Sequence, residues 1–224
     1  MTRVLLESVG DLRQFIDQRG PFDLAIWDFD GVVGDTEPMQ ARVYREMLAE
    51  RGIAVDPDFF NDLAGHPEPE IWSALKERYG VEGDPDDLRD ERIGRVGPAL
   101  AQGIEPNWFV LPAVEALRET GAKSLVISSG NEEVVRRYLK TRGLGELFVE
   151  VSAVTGSAAD IPKRERLCAA IKGTERALVV EDSIKYLRLA AELGAVTLGV
   201  QHSLNGELAG VADAVLRGDV EARE

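Results

Sequence analysis

Three short, nearly unbroken apolar runs, Leu24–Trp27, Ser124–Ile127 and Ala177–Val180, constrain this chain most. Strands buried on both faces read this way, and such strands belong to parallel sheets. Between and after them lie segments with apolar residues at helical spacing: Val110–Thr120, with Val114 and Leu117 inward, Glu132–Arg142, a stretch carrying Leu167 and Ile171, and Ile184–Leu193. Gly121, Gly143 and Gly194 close three of them. Phe148–Val151 and Val196–Val200 read as further strands, and Asp213–Leu216 as a last edge strand. Strand and helix alternating in this way predict an α/β fold, a Rossmann-like doubly wound parallel sheet with helices on both faces.

The first part of the chain departs from that rhythm. Val4–Leu6 reads as a short strand, and Leu12, Phe15 and Ile16 mark a helix that Gly20-Pro21 stops. After Leu24–Trp27, no strand pattern occurs from Pro38 to about Leu100. Met39, Val43, Met47 and Leu48 repeat at helical spacing, Asp58–Leu63 is a second helical segment, Ile71, Trp72, Leu75 and Tyr79 mark a third, and Leu88, Ile93 and Val96 a fourth. A stretch this long is not a loop. It reads as an inserted α-helical cap domain over residues 37–105, with the core built from residues 1–36 and 106–224.

The chemistry sits where strands end. In open α/β sheets, ligands bind beyond the carboxyl ends of the strands. Leu24–Trp27 runs into Asp28-Phe29-Asp30-Gly31, with Gly34 three residues on. Two carboxylates and a glycine turn suit a divalent cation and a phosphate, although an Asx turn closing an ordinary strand would also place an acid here. Ser124–Ile127 runs into Ser128-Ser129-Gly130, and Ala177–Val180 into Glu181-Asp182-Ser183. Ser128 can donate to a phosphoryl oxygen, although serine also caps helices. Lys163 follows Pro162 and offers positive charge, unless it is a solvated surface lysine.

Charge narrows the class of partner. The net charge of -14 over 224 residues disfavours nonspecific nucleic-acid binding and anionic membrane surfaces. Cys168 is the one cysteine, so no intrachain disulfide forms and a reducing compartment fits. It lies in a helical apolar pattern and reads as a packed small residue. No run reaches membrane-spanning length and the N-terminus shows no signal-peptide core, so a cytoplasmic location is expected.

Asp28-x-Asp30, Ser128, Lys163 and Glu181-Asp182, in this order and spacing, resemble the haloacid dehalogenase superfamily, from Leu24 to about Leu216. The helical insert resembles the cap of the branch that includes β-phosphoglucomutase and phosphoglycolate phosphatase relatives. The resemblance implies a phosphatase acting on a small phosphorylated metabolite, such as a sugar phosphate, through an aspartyl-phosphate. Asp28 would be the nucleophile and Asp30 the general acid and base. Ser128, the Ser129 amide and Lys163 would hold the phosphoryl group, with Lys172 a poor second to Lys163. Mg²⁺ would be bound by Asp28, the Asp30 carbonyl and Asp182, with Glu181 a ligand or a partner of the ligands. Substrate choice would fall to the cap, where His66, Glu68 and Trp72 are candidates together with Arg42 and Tyr44.

The chain departs from the family pattern in places. Arg164 follows Lys163 where relatives have proline, and Tyr186 stands where they commonly have glycine. Asp30 argues against dehalogenase and phosphonatase chemistry. Gln40 stands where phosphomutases carry histidine, and the arginine they carry near Glu68 in the cap is expected to be missing too, which favours hydrolysis over a sugar phosphomutase. A catalytically silent member that kept the fold is the third reading, and the intact acids count against it.

Overall fold

Seven parallel strands form one sheet in the order β1-β7-β6-β5-β2-β3-β4, where β1 is Leu5–Leu6, β2 Leu24–Trp27, β3 Lys123–Asn131, β4 Glu150–Val154, β5 Ala177–Glu181, β6 Val196–Gln201 and β7 Ala214–Arg217. This computed structural model describes residues 5–63, 68–101, 103–155, 160–202 and 208–217. The chain divides into two compact units, Met1–Asp35 with Glu105–Glu224, and Thr36–Ile104.

In the sheet unit, strand residues of both parities are buried. Ile26, Leu125, Ile127 and Val179 pack with Leu167, Ile171 and Ala190 of helices α7 (Lys163–Lys172) and α8 (Ile184–Glu192). Ala25, Trp27, Val126, Leu178 and Val180, which point the other way, are buried as well. The sheet is therefore covered on both faces, as the apolar runs predict. Helix α1 (Val9–Arg19) packs on α5 (Val110–Glu119), and both α5 and α6 (Glu132–Thr141) pack on β3.

Three details differ from the sequence expectation. Residues 214–217 are not an edge: β7 lies between β6 and β1, because Leu5 and Leu6 pair with Val215 and Leu216. The two-residue β1 is the edge, and Leu5 is 48% exposed there. The fourth strand begins at Glu150 rather than Phe148, whose ring turns inward onto Trp27 at 6.2 Å. Asp58–Leu63 falls in a 3-10 turn, Pro57–Leu63, not an α-helix.

The helical unit contains α2 (Glu37–Ala49), α3 (Glu68–Tyr79) and α4 (Pro85–Ala101), with both α2 and α3 packed on α4. Its centre is aromatic. Tyr44 stacks on Phe60 with centroids 5.2 Å apart, and Trp72 meets Tyr44 edge-on at 5.1 Å. Among the described residues, no helix is long and apolar enough to cross a membrane.

Candidate active site

The strand order sets the site. β2 is flanked by β5 on one side and β3 on the other, with Trp27 in register with Val180 and Val126. The chain fills the β3 side first and returns later on the β5 side, so β2 lies at the switch point where such sheets bind ligands. One residue beyond that register, Asp28 stands beside Glu181. Its amide donates to the Val180 carbonyl at 2.9 Å and so carries the ladder to the strand tip.

Immediately after Asp28 the backbone coils on itself. The amides of Val33 and Gly34 both donate to the Phe29 carbonyl, at 2.9 and 3.3 Å, and Gly31 donates to the Gly34 carbonyl at 2.9 Å. Phe29, Val32 and Val33 are buried, which anchors the coil from below. Asn107 ties it down, donating from its side chain to the Val32 carbonyl at 2.8 Å and from its amide to the Val33 carbonyl at 3.0 Å. Gly31 has φ of +74°, and a Cβ there would stand 2.3 Å from Asp182 Oδ2. Glycine is required for both reasons.

Four of the residues singled out by the sequence meet at this tip. Lys163 Nζ lies 2.6 Å from Asp28 Oδ2 and 2.8 Å from Glu181 Oε2, with its side chain only 5% exposed. Asp28 Oδ1 accepts from the Phe29 amide at 2.7 Å, so both oxygens of this carboxylate are held. Glu181 Oε1 accepts from the Ser183 amide at 3.2 Å. Asp28, Glu181 and Asp182 each bring a carboxylate oxygen within 4.8 Å of the others. An all-oxygen, anionic donor set of this kind suits a hard divalent cation, so the residues fit Mg²⁺.

Crowded charge shifts the ionisable groups. Burial works against the Lys163 ammonium, but Asp28 and Glu181 outweigh it and hold Lys163 charged well above the usual lysine range. Burial and the neighbouring Asp28 carboxylate push Glu181 well above the usual glutamate range, while Lys163 pulls the other way. The ammonium also lies 4.6 Å from the centroid of the Tyr186 ring, whose face favours a cation.

Ser128 and Asp30 converge on a second point. A Cβ on Gly130 would stand 3.1 Å from Ser128 Oγ and 3.2 Å from Asp30 Oδ2. Both polar groups thus border the space that the missing side chain leaves open. Ser128 is fully buried and its Oγ accepts from the Gly130 amide at 2.8 Å, whereas Ser129 is exposed. Ser128 is no helix cap, since Asn131 caps α6 by accepting from the Val134 amide at 3.2 Å. Lys172 lies at the far end of α7 from Lys163.

The candidates of the helical unit form a different kind of group. Glu68 accepts from both Nε and Nη2 of Arg92, at 2.5 and 2.8 Å, and from the Trp72 indole at 3.1 Å. Arg92 also donates to Gln40 at 3.0 Å and stacks 5.1 Å from the Tyr44 ring centroid. Trp72 and Tyr44 are buried inside that unit, and Arg42 reaches Glu46 on its own helix at 3.8 Å. His66 lies outside the described residues.

Three participants were not signalled by the sequence. His202, one residue past β6, places Nε2 2.8 Å from Asp182 Oδ2 and is 8% exposed. Its position just beyond a strand end was the available clue. Arg166, one turn after Lys163, donates to the carbonyls of Ser128 at 2.8 Å and Ile161 at 2.8 Å and also to that of Ser152, tying β3, β4 and α7 together. Arg92 was hidden because charged residues on helices are usually solvated, and its place on Glu68 corrects the expectation that no arginine lies near that residue, since the two are 24 residues apart in the chain.

Comparison with known proteins places these features in context. The haloacid dehalogenase-like hydrolase family matches residues 25–200. The fructose-1-phosphate phosphatase YqaB of Escherichia coli is 29% identical over 164 residues, which cover 70% of this chain and 85% of that protein. A phosphorylated carbohydrates phosphatase of Thermotoga maritima is 25% identical over 191 residues, covering 82% and 87%. The crystal structure of a β-phosphoglucomutase homologue from Thermotoga maritima superposes with a TM-score of 0.69 at 22% identity, covering 88% of this chain and 95% of that one. That likeness is one of fold.

Proposed function

Because the chain belongs to the haloacid dehalogenase-like hydrolase family, we propose that it is a Mg²⁺-dependent phosphatase of phosphorylated sugars that works through a phosphoryl group carried on Asp28. It is a phosphatase, a hydrolase of phosphoric monoesters. The sugar-phosphate class is supported by the names of the two relatives, both phosphatases of phosphorylated sugars. A cytoplasmic location fits the single cysteine.

The observation that carries the mechanism is the pairing of Asp28 with Lys163 at 2.6 Å in a buried setting. The held carboxylate would present one oxygen to the phosphorus of a bound substrate. That oxygen forms the new bond to phosphorus as the bond from phosphorus to the sugar oxygen breaks. Asp30 delivers its proton to the departing sugar oxygen, which leaves as the alcohol. Water then attacks the phosphorus, Asp30 takes its proton, and the bond to Asp28 breaks to release inorganic phosphate. General acid–base help of this kind contributes roughly 10²–10⁴-fold. Lys163 and the Ser128 hydroxyl face the charge that builds on the transferring oxygens.

Asp28 and Asp182, with the Asp30 carbonyl, would hold the ion. Bound there, Mg²⁺ neutralises charge on the phosphoryl oxygens. Glu181 spends one oxygen on Lys163 and the other on the Ser183 amide, which supports a role in fixing the lysine rather than in ligating the ion.

The test is phosphate release from a panel of sugar phosphates. Turnover is expected with Mg²⁺, and none with EDTA. Asp28→Asn should remove turnover while the fold survives. An Asp28→Asn protein as fast as wild type would overturn the mechanism. Isomerisation of a sugar phosphate without phosphate release would replace hydrolysis by mutase chemistry.

A further inference from the structure

We propose that His202 is a positioning residue for Asp182, fixing that carboxylate in the orientation in which it ligates the divalent cation. The inference rests on the cation site proposed above and extends it to a residue on a different strand.

Three loops close around one oxygen. Asp182 Oδ2 lies 2.8 Å from His202 Nε2, at the end of β6. From the β2 side, the Gly31 backbone comes so near that a Cβ would stand 2.3 Å from the same oxygen and 3.0 Å from His202 Nε2. The ring is 8% exposed, so its position is set by packing and not by solvent. With the proton on Nε2 it donates to Asp182, and an aspartate carboxylate otherwise turns readily about its last torsion. One oxygen held by a buried donor leaves the carboxylate a single defined orientation before any cation arrives.

This arrangement differs from an ordinary loop tie because of what surrounds it. Asp182 is one of the three acids whose oxygens gather within 4.8 Å, and of the three it is the one set against a histidine ring. Asp28 and Glu181 share Lys163 instead. Hydrogen-bond partners of ligating groups typically govern metal affinity by roughly 10–100-fold. The inference therefore concerns affinity for the ion, with activity a consequence.

The experiment measures Mn²⁺ binding to the full chain by electron paramagnetic resonance, with Mg²⁺ as competitor, alongside thermal unfolding. His202→Phe keeps a ring of similar size without the donor, and should bind Mn²⁺ roughly 10–100-fold more weakly. His202→Gln can still donate to Asp182 and should stay near wild type. His202→Ala carries the same expectation as the phenylalanine variant if that one does not fold. Affinity unchanged or increased in His202→Phe would overturn the proposal, an increase meaning that the histidine competes with the ion. A folded His202→Gln as weak as His202→Phe would overturn it too. If wild type binds no Mn²⁺, or Asp182→Asn binds it as well as wild type, the cation site itself is refuted. Weakened binding in Asp182→Asn with unchanged binding in His202→Phe refutes the positioning role alone.

Discussion

Lys163 occupies a place where an ammonium ion is costly. Its side chain is 5% exposed, and burial of an isolated charge would drive off the proton. Two carboxylates within 2.8 Å reverse that preference. The Tyr186 ring covers another side at 4.6 Å and adds about 0.5–2 kcal/mol of attraction in such a desolvated setting. Tyr186→Leu should lower kcat by roughly 2–30-fold with KM little changed, which is that attraction expressed as a rate. Tyr186→Phe keeps the ring face and should match wild type in steady-state assays. Equal kcat in the leucine variant would mean that the ring only packs.

The coil after β2 shows what an element must do to present such residues. It turns the chain within a few residues, buries Phe29, Val32 and Val33, and lets Asp182 approach the backbone at Gly31. Gly31→Ala meets two separate costs. The left-handed backbone at φ +74° disfavours an L-residue by about 1–2 kcal/mol, and the new Cβ displaces Asp182. Gly121 has φ of +90° but nothing within 4 Å of a Cβ, so Gly121→Ala meets the backbone cost alone. Gly121→Ala should lower the melting temperature by about 2–8 °C and leave turnover intact. Gly31→Ala should lower it by more, since the displaced Asp182 adds to the backbone cost, and reduce turnover by at least roughly tenfold. Similar turnover in both variants would show that the close approach has no bearing on the chemistry. Arg166 serves at the same scale, holding β3 and β4 to the start of α7 so that Ser128 and Lys163 keep their places.

At the scale of the molecule, two compact units have separate means of cohesion. The sheet unit rests on apolar residues buried on both faces of β2, β3 and β5. The helical unit adds a buried ion pair, Arg92 with Glu68, enclosed by Gln40, Tyr44 and Trp72. Removing one partner of such a pair strands the other, at about 3–5 kcal/mol when burial is complete. The Glu68 side chain is 20% exposed, so Arg92→Met should cost about 3 kcal/mol, the lower end. Hydrogen exchange should locate the loss: amides between Thr36 and Ile104 lose protection, and those of β2, β3 and β5 keep it. Protection lost evenly through both units would show that they unfold as one.

Much of this was written locally. The apolar runs at Leu24–Trp27, Ser124–Ile127 and Ala177–Val180 announced strands buried on both faces, and Asp28, Asp30, Ser128, Glu181 and Asp182 sat visibly at their ends. Periodicity reports how a segment is buried, and a strand end is a place in the sequence. Strand order is not local: only pairing with Leu5 and Leu6 moved β7 off the edge. Nor is the choice of partner, because Lys163 between Asp28 and Glu181, and His202 against Asp182, depend on which loops the finished sheet brings side by side. The sequence thus determined the strands and the acids at their tips. Tertiary packing decided which charge each acid would face, since contact between residues far apart in the chain exists only once the sheet has assembled.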